Sequence, residues 1–150
     1  MLIIGIGIPG AVDTYNRTIT ISTNLPGFTG YPLCKILEER FNLPTFMDND
    51  ANVAGLAEAV LGAGKDCPIV YYITHSTGIG GALVVDGKVV SGRKGYAGEI
   101  ANIIVKDNGK KYNYLNRGAV ENEASGTAIA RMGKEEIGGE IESAIDVFNL

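Results

Sequence analysis

Apolar and polar positions along this chain predict strands interleaved with helices. Residues 2–8 (LIIGIGI) form a continuous apolar run that ends at Pro9-Gly10, the pattern of a buried strand. Residues 17–22 (RTITIS) alternate and carry β-branched side chains, which predicts an extended stretch or hairpin arm, and Asn24-Leu25-Pro26-Gly27 reads as a turn. Pro32 opens a helix through about Phe41, with Leu33, Ile36 and Leu37 on its apolar face. A short strand over Pro44–Met47 leads to Asp48-Asn49-Asp50. A helix over 51–61 follows, on which Val53, Leu56, Ala57 and Val60 recur at helical spacing and which Gly62 closes.

Further on, residues 69–74 (IVYYIT) predict a strand and Ser76–Gly81 a glycine loop. Residues 82–85 and 88–90 flank Asp86-Gly87, a hairpin signal. Gly92–Gly98 reads as a loop, 100–105 (IANIIV) as extended and 107–117 as polar coil. A helix is expected from about Ala119 to Ala130, and another over Glu135–Phe148. Strands alternating with helices imply an α/β fold, and the hairpins imply a mixed sheet.

Composition narrows the function classes. A length of 150 residues suits one ordinary domain with a real core, and 45% hydrophobic residues exclude a disordered chain. Thirteen basic against 17 acidic residues give a net charge of −4, which argues against a nucleic-acid partner. Met1–Val12 is the one candidate for a membrane or signal segment; it is too short, lacks a basic start and is interrupted by Asp13. A buried strand is the better reading, so no membrane association and a cytoplasmic location are expected. Cys34 and Cys67 have neither metal-binding nor redox spacing, which fits a reducing compartment. Glycine is the outlier: 21 of 150 residues, about twice the usual ~7%. Clustered between apolar runs, it allows positive φ and close approach of backbone to a ligand.

Several motifs have both a chemical and a plain reading. Gly5-Ile6-Gly7-Ile8-Pro9-Gly10 matches G-x-G-x-x-G formally, but no helix opens at its third glycine and Pro9 sits inside the turn, so a strand ending in a tight turn is the better account. Asp50 lies where a strand ends and a helix begins. A carboxylate there can take a proton from a substrate hydroxyl, or simply cap the helix, and spacing alone favours the cap. Ser76-Thr77-Gly78-Ile79-Gly80-Gly81 can form an anion-binding nest or a plain glycine-rich hairpin. His75, the single histidine, reads as a hydrogen-bonded strand-end residue, and Tyr112 and Tyr114 as packing.

Three segments, in their order and spacing, together resemble the ROK family of sugar kinases and sugar-sensing repressors. They are Gly5–Asp13 with Asn24-Leu25-Pro26-Gly27; Asp48-Asn49-Asp50-Ala51-Asn52 with Glu58 in its helix; and Thr77-Gly78-Ile79-Gly80-Gly81, Asp86-Gly87 and Ala97-Gly98-Glu99-Ile100. The likeness runs through Ile129. It implies an actin-like (ribonuclease H-like) two-lobed ATPase fold, with residues 1–50 in the small lobe and 51–150 in the large one. It implies an enzyme that transfers phosphate from ATP, with Mg²⁺, to a hydroxyl of a hexose-type sugar, and a homo-oligomer is compatible with it. In that reading Asp50 is the general base, and Asn49, Glu99 and Glu121 hydrogen-bond the other sugar hydroxyls. Gly10 and Asn24 line the sugar pocket, and Thr77 and Gly78 hold the ATP phosphates. Asn102 stands where a family histidine touches the sugar and helps to bind zinc. Tyr112, Tyr114 and Ala119 stand where zinc-binding members have cysteines, so no structural zinc is expected. Ser76 replaces a usual glycine. The family's N-terminal Asp-x-Gly-x-Thr phosphate loop has no counterpart here, so the chain resembles about the middle half of a kinase. The alternatives are a non-catalytic, repressor-like sugar sensor and an inactive sugar-kinase fragment.

Overall fold

The computed structural model describes residues 1–22 and 24–150. The chain divides into two compact units, one of Met1–Tyr72 with Ala82–Gly98, the other of Ile73–Gly81 with Glu99–Leu150.

In the first unit the expected apolar run forms β1 (Ile4–Ile8), and the hairpin arm forms β3 (Thr18–Ile21), paired antiparallel with β2 (Ala11–Asp13). Helix α1 (Leu33–Phe41) follows, preceded by Pro32 and closed by Asn42 in the left-handed conformation, a common helix stop. Strand β4 (Thr45–Asn49) then pairs parallel with β1, in register from Ile4 opposite Thr45 to Ile8 opposite Asn49. Parallel pairing demands a crossover, and residues 9–44 supply it. Ile8, Val12, Ile19, Cys34 and Met47 form the buried core, with Leu25, Phe28 and Leu33 packed against it. Helix α2 (Asp50–Val60) starts directly from the end of β4.

The buried face of α2 differs from the expected one. Ala51, Asn52, Gly55 and Ala59 are buried, whereas Val53 and Val60 are exposed. The reason is close approach: a Cβ on Gly55 would lie 2.7 Å from the Ala82 Cβ and 3.0 Å from the Tyr72 Cβ, so only a small-residue face fits there. Strands β5 (Ile69–His75), β6 (Ile79–Val85) and β7 (Lys88–Val89) follow in the order β5-β6-β7. Asp86 (φ 48°) and Gly87 (φ 70°) both take positive φ, as a two-residue hairpin turn requires. The glycine loop is shorter than expected, since Ile79, Gly80 and Gly81 already belong to β6.

The second unit corrects the C-terminal reading. Residues 100–105 are not a strand: the Ile103 N–H turns back to the Ile100 carbonyl, and the Val105 and Lys106 N–H groups both go to the Gly118 carbonyl. A single bridge, Ile104 to Ala119, remains. The helix expected over 119–130 is two helices, α3 (Val120–Ala124) and α4 (Gly126–Glu136). Ser125 breaks them with an extended backbone, and its hydroxyl caps α4 at the Ala128 N–H. The helix expected over 135–148 is cut by Gly138 and Gly139, both at positive φ, and resumes only as α5 (Ala144–Phe148), opened by a Ser143–Asp146 capping box. No described helix is long and apolar enough to cross a membrane.

Two positions in the first unit lend themselves to measurement. Gly10 has φ 105°, and a Cβ there would collide with the Ile21 carbonyl oxygen. Gly10→Ala is expected to destabilise the protein by about 1–3 kcal/mol in a denaturant titration, from positive-φ strain and the collision. Glu38 accepts the Thr45 N–H and pairs with Arg17, and these contacts hold its carboxyl below the ordinary value, the Thr45 N–H first. A depressed carboxyl stabilises the fold above its unfolded pKa, and that contribution is lost as pH falls through the folded value. Melting temperature against pH is therefore expected to fall less steeply on the acid side in Glu38→Gln than in the wild type.

Candidate functional site

In the first unit, the end of β4 and the start of α2 bring Asn49, Asp50 and Gly10 together. Asn49, not Asp50, is the cap of α2: its Oδ1 accepts the N–H groups of Ala51 (2.9 Å) and Asn52 (3.2 Å). Its Nδ2 donates to the Gly10 carbonyl at 3.0 Å. Asp48 accepts the Asn52 Nδ2 at 2.9 Å, which steadies the same turn. Asp50 is the first residue of α2 and is exposed. Its Oδ1 also lies 3.0 Å from the Ala51 nitrogen. Asn24 is exposed and sits in the expected turn.

In the second unit, Thr77 and Gly78 lie in the loop between β5 and β6. The Ser76 N–H closes the turn on the Gly78 carbonyl at 2.9 Å. The start of α4 docks on the same loop: the Gly126 N–H donates to the Ser76 carbonyl (2.8 Å), and the Thr127 hydroxyl to the Thr77 carbonyl (2.8 Å). The Thr127 N–H also donates to the Thr77 carbonyl (3.4 Å) and the Ala128 N–H to the Ser125 hydroxyl (3.1 Å), so the first N–H groups of α4 are spent and this helix start is closed to a ligand. Among the described residues, the N–H groups of Thr77 and Gly78 and the Thr77 hydroxyl have no hydrogen-bond partner. Glu121, in the first turn of α3, accepts the Ile79 N–H at 2.8 Å. His75 is fixed as expected, its Nε2 donating to the Ala124 carbonyl at 2.6 Å. A cavity of about 880 Å³ opens beside the loop, lined by Thr77, Thr127, Arg131, Ile141, Ile145 and Phe148. Glu99 and Asn102 are exposed, and the Asn102 Oδ1 accepts the Asn116 N–H at 2.6 Å.

The segment after Asn102 is held by side chains. The Arg131 guanidinium stacks 3.6 Å from the Tyr112 ring centre and donates to the Asn122 carbonyl at 2.6 Å. Asn122 Nδ2 donates to the Asn116 carbonyl at 3.2 Å, and Lys106–Glu123 and Lys110–Glu135 pair at 3.4 and 2.9 Å. Among the described residues no three His, Cys, Asp or Glu side chains group to hold a metal ion. Sequence reasoning missed the Asn49 cap, the Glu121–Ile79 bond and the Arg131 stack. The first had a local signal, since asparagine caps as well as aspartate; the other two join residues far apart in the chain.

The ROK family matches residues 1–149. The glucokinase of Thermotoga maritima is 38% identical over 132 residues, which are 88% of this chain and 42% of that protein. The ROK hexokinase of Thermus thermophilus superposes with a TM-score of 0.87 at 35% identity, covering 99% of this chain and 49% of that one. A ROK family glucokinase from Streptomyces griseus, in complex with glucose and AMPPNP, gives a TM-score of 0.75 at 35% identity, covering 89% and 42%. Xylose repressors of Bacillus and Caldicellulosiruptor are also relatives, at 32–34% identity, with the chain covering 31–33% of each. The chain thus spans less than half the length of these relatives. The fold is the actin-like ATPase fold of the ROK sugar kinases.

Arg131 bridges α4 to the 106–118 segment. Arg131→Ala removes the stack and one charged hydrogen bond and is expected to cost about 1–3 kcal/mol. Limited proteolysis is expected to cut the variant faster within 106–118, with or without a chelator. Cleavage that a chelator speeds in the wild type would show that a metal holds the segment.

Proposed function

The chain belongs to the ROK family, and from that membership we propose that it is part of an ATP-dependent sugar kinase that phosphorylates a hydroxyl of a hexose-type sugar, with Asp50 as the general base. The observation that carries the reading is the division of labour at the β4–α2 corner. Asn49 caps the helix, so Asp50 presents an exposed carboxylate at the carboxyl end of a strand, where ligands of α/β sheets gather.

Phosphoryl transfer asks little covalent chemistry of a protein. It asks for positioning and for stabilisation of charge on the phosphoryl oxygens. Asp50 would accept the proton of the attacking hydroxyl. By the family resemblance, Asn49, Gly10 and Asn24 in the first unit and Glu99, Asn102 and Glu121 in the second are assigned to the sugar. ATP supplies the phosphoryl group, and the partnerless N–H groups of Thr77 and Gly78 fit phosphate oxygens. The apolar wall of the adjoining cavity, Ile141, Ile145 and Phe148, suits the nucleoside. The relatives' glucokinase and hexokinase names and the glucose–AMPPNP complex support the same reading. The lobe division at residue 50 and the Mg²⁺ requirement belong to this proposal. The xylose repressors among the relatives support a second reading, in which the same pocket binds sugar without chemistry.

Asp50→Asn separates the two. As general base, Asp50 is worth ~10²–10⁴-fold in turnover, and the amide is expected to lose that much while sugar affinity changes far less. Because Asn49 is the cap, stability is expected to move by no more than about 0.5 kcal/mol. Steady-state kinetics, a sugar titration and a melting curve on wild type and variant of a full-length protein that carries this chain decide it. Turnover within about threefold of wild type, too little for a lost base, removes Asp50 from the mechanism.

A further inference from the structure

Glu121 has a contact that binding a sugar hydroxyl does not call for. Its Oε2 accepts the N–H of Ile79, the residue that ends the Thr77–Gly78 loop and starts β6. The carboxylate reaches the loop from a fixed base: the Glu121 N–H donates to the Ala101 carbonyl, and its own carbonyl accepts the Ser125 N–H. Gly78 is the complement to this contact. It is absent from the positive-φ positions, so its backbone does not call for glycine. A Cβ on Gly78, however, would lie 2.6 Å from the Glu121 Oε2 and 3.2 Å from its carboxyl carbon. The missing side chain is what admits the carboxylate.

We infer that Glu121 is a positioning residue for the phosphate loop: Oε2 clamps the Ile79 N–H, which leaves the N–H groups of Thr77 and Gly78 for phosphate oxygens and Oε1 for a sugar hydroxyl other than the attacking one. This rests on the proposed nucleotide site at Thr77–Gly78 and adds to it a second role for the Glu121 carboxylate, on the loop. Three features define the role. The contact is short-range and needs an acceptor oxygen at the reach of a glutamate. It does not need the negative charge, which lies beside the incoming phosphate and opposes it. It acts on phosphate binding even when no sugar is present.

The test measures inorganic pyrophosphate binding, without sugar, to the wild type, Glu121→Gln, Glu121→Asp and Glu121→Ala, together with amide exchange at Ile79. Gln keeps an acceptor at the same reach and drops the charge, so it is expected to bind pyrophosphate as tightly as the wild type or tighter, with Ile79 protected. Asp is one methylene short, about 1.5 Å, and Ala has no acceptor. Both are expected to bind about tenfold more weakly and to exchange Ile79 faster, the scale of one lost charged hydrogen bond. If Ala does not fold, the contrast between Gln and Asp decides. Equal pyrophosphate binding by wild type and Asp, with Ile79 protected in both, overturns the inference and leaves the nucleotide reading standing. No pyrophosphate binding by the folded wild type overturns the nucleotide reading, and the inference with it.

Discussion

The carboxamide of Asn49 is the constraint on which the first unit's corner depends. Its oxygen takes two N–H groups at the start of α2, and its nitrogen holds the carbonyl of Gly10, 39 residues earlier. The position needs an acceptor and a donor on one short side chain. Aspartate could cap the helix but has nothing to donate to the Gly10 carbonyl, and serine or threonine could cap but would not also reach it. Gly10 is tied in turn to a positive φ and to close contact with the Ile21 carbonyl. The Ile-Pro-Gly and Asp-Asn-Asp segments are thus locked together, and Asp50 is left outside the lock with its carboxylate exposed.

The second unit solves a related problem differently. A glycine loop is useful to an anion only if some N–H groups remain unspent while the loop stays in shape. Here the α4 start and Ser76 spend their N–H groups on loop carbonyls, and a carboxylate takes Ile79. What remains is Thr77 and Gly78. The neighbouring 106–118 segment has no regular secondary structure, and it is kept in place by a stacked guanidinium, amide bonds and two ion pairs.

Local pattern made much of the first unit legible, because β1 lies in a continuous apolar run ended by Pro9-Gly10 and α1 has an apolar face that starts after Pro32. It misjudged the face of α2, where the large apolar side chains of Val53 and Val60 pointed one way and the close approach of Ala82 and Tyr72 to Gly55 decided the other. It also joined α3 to α4 and placed a helix across Gly138-Gly139, since a single extended serine and a pair of positive-φ glycines interrupt otherwise helical composition. At the site, the sequence singled out Asn49 and Asp50 as neighbours. Either residue type can cap, and the choice fell to a carbonyl 39 residues away. Likewise Glu121 stood out only through the family resemblance, because its partner Ile79 is 42 residues distant and leaves no local signal.

That the site to which this chain contributes serves transfer of phosphate to a sugar, and not sugar binding alone, is tested most directly by the fate of the terminal phosphate of γ-labelled ATP incubated with a full-length protein that carries this chain and a panel of hexoses. Label is expected in a sugar phosphate, formed in step with ADP. Saturable sugar binding with all the label left in ATP would contradict it.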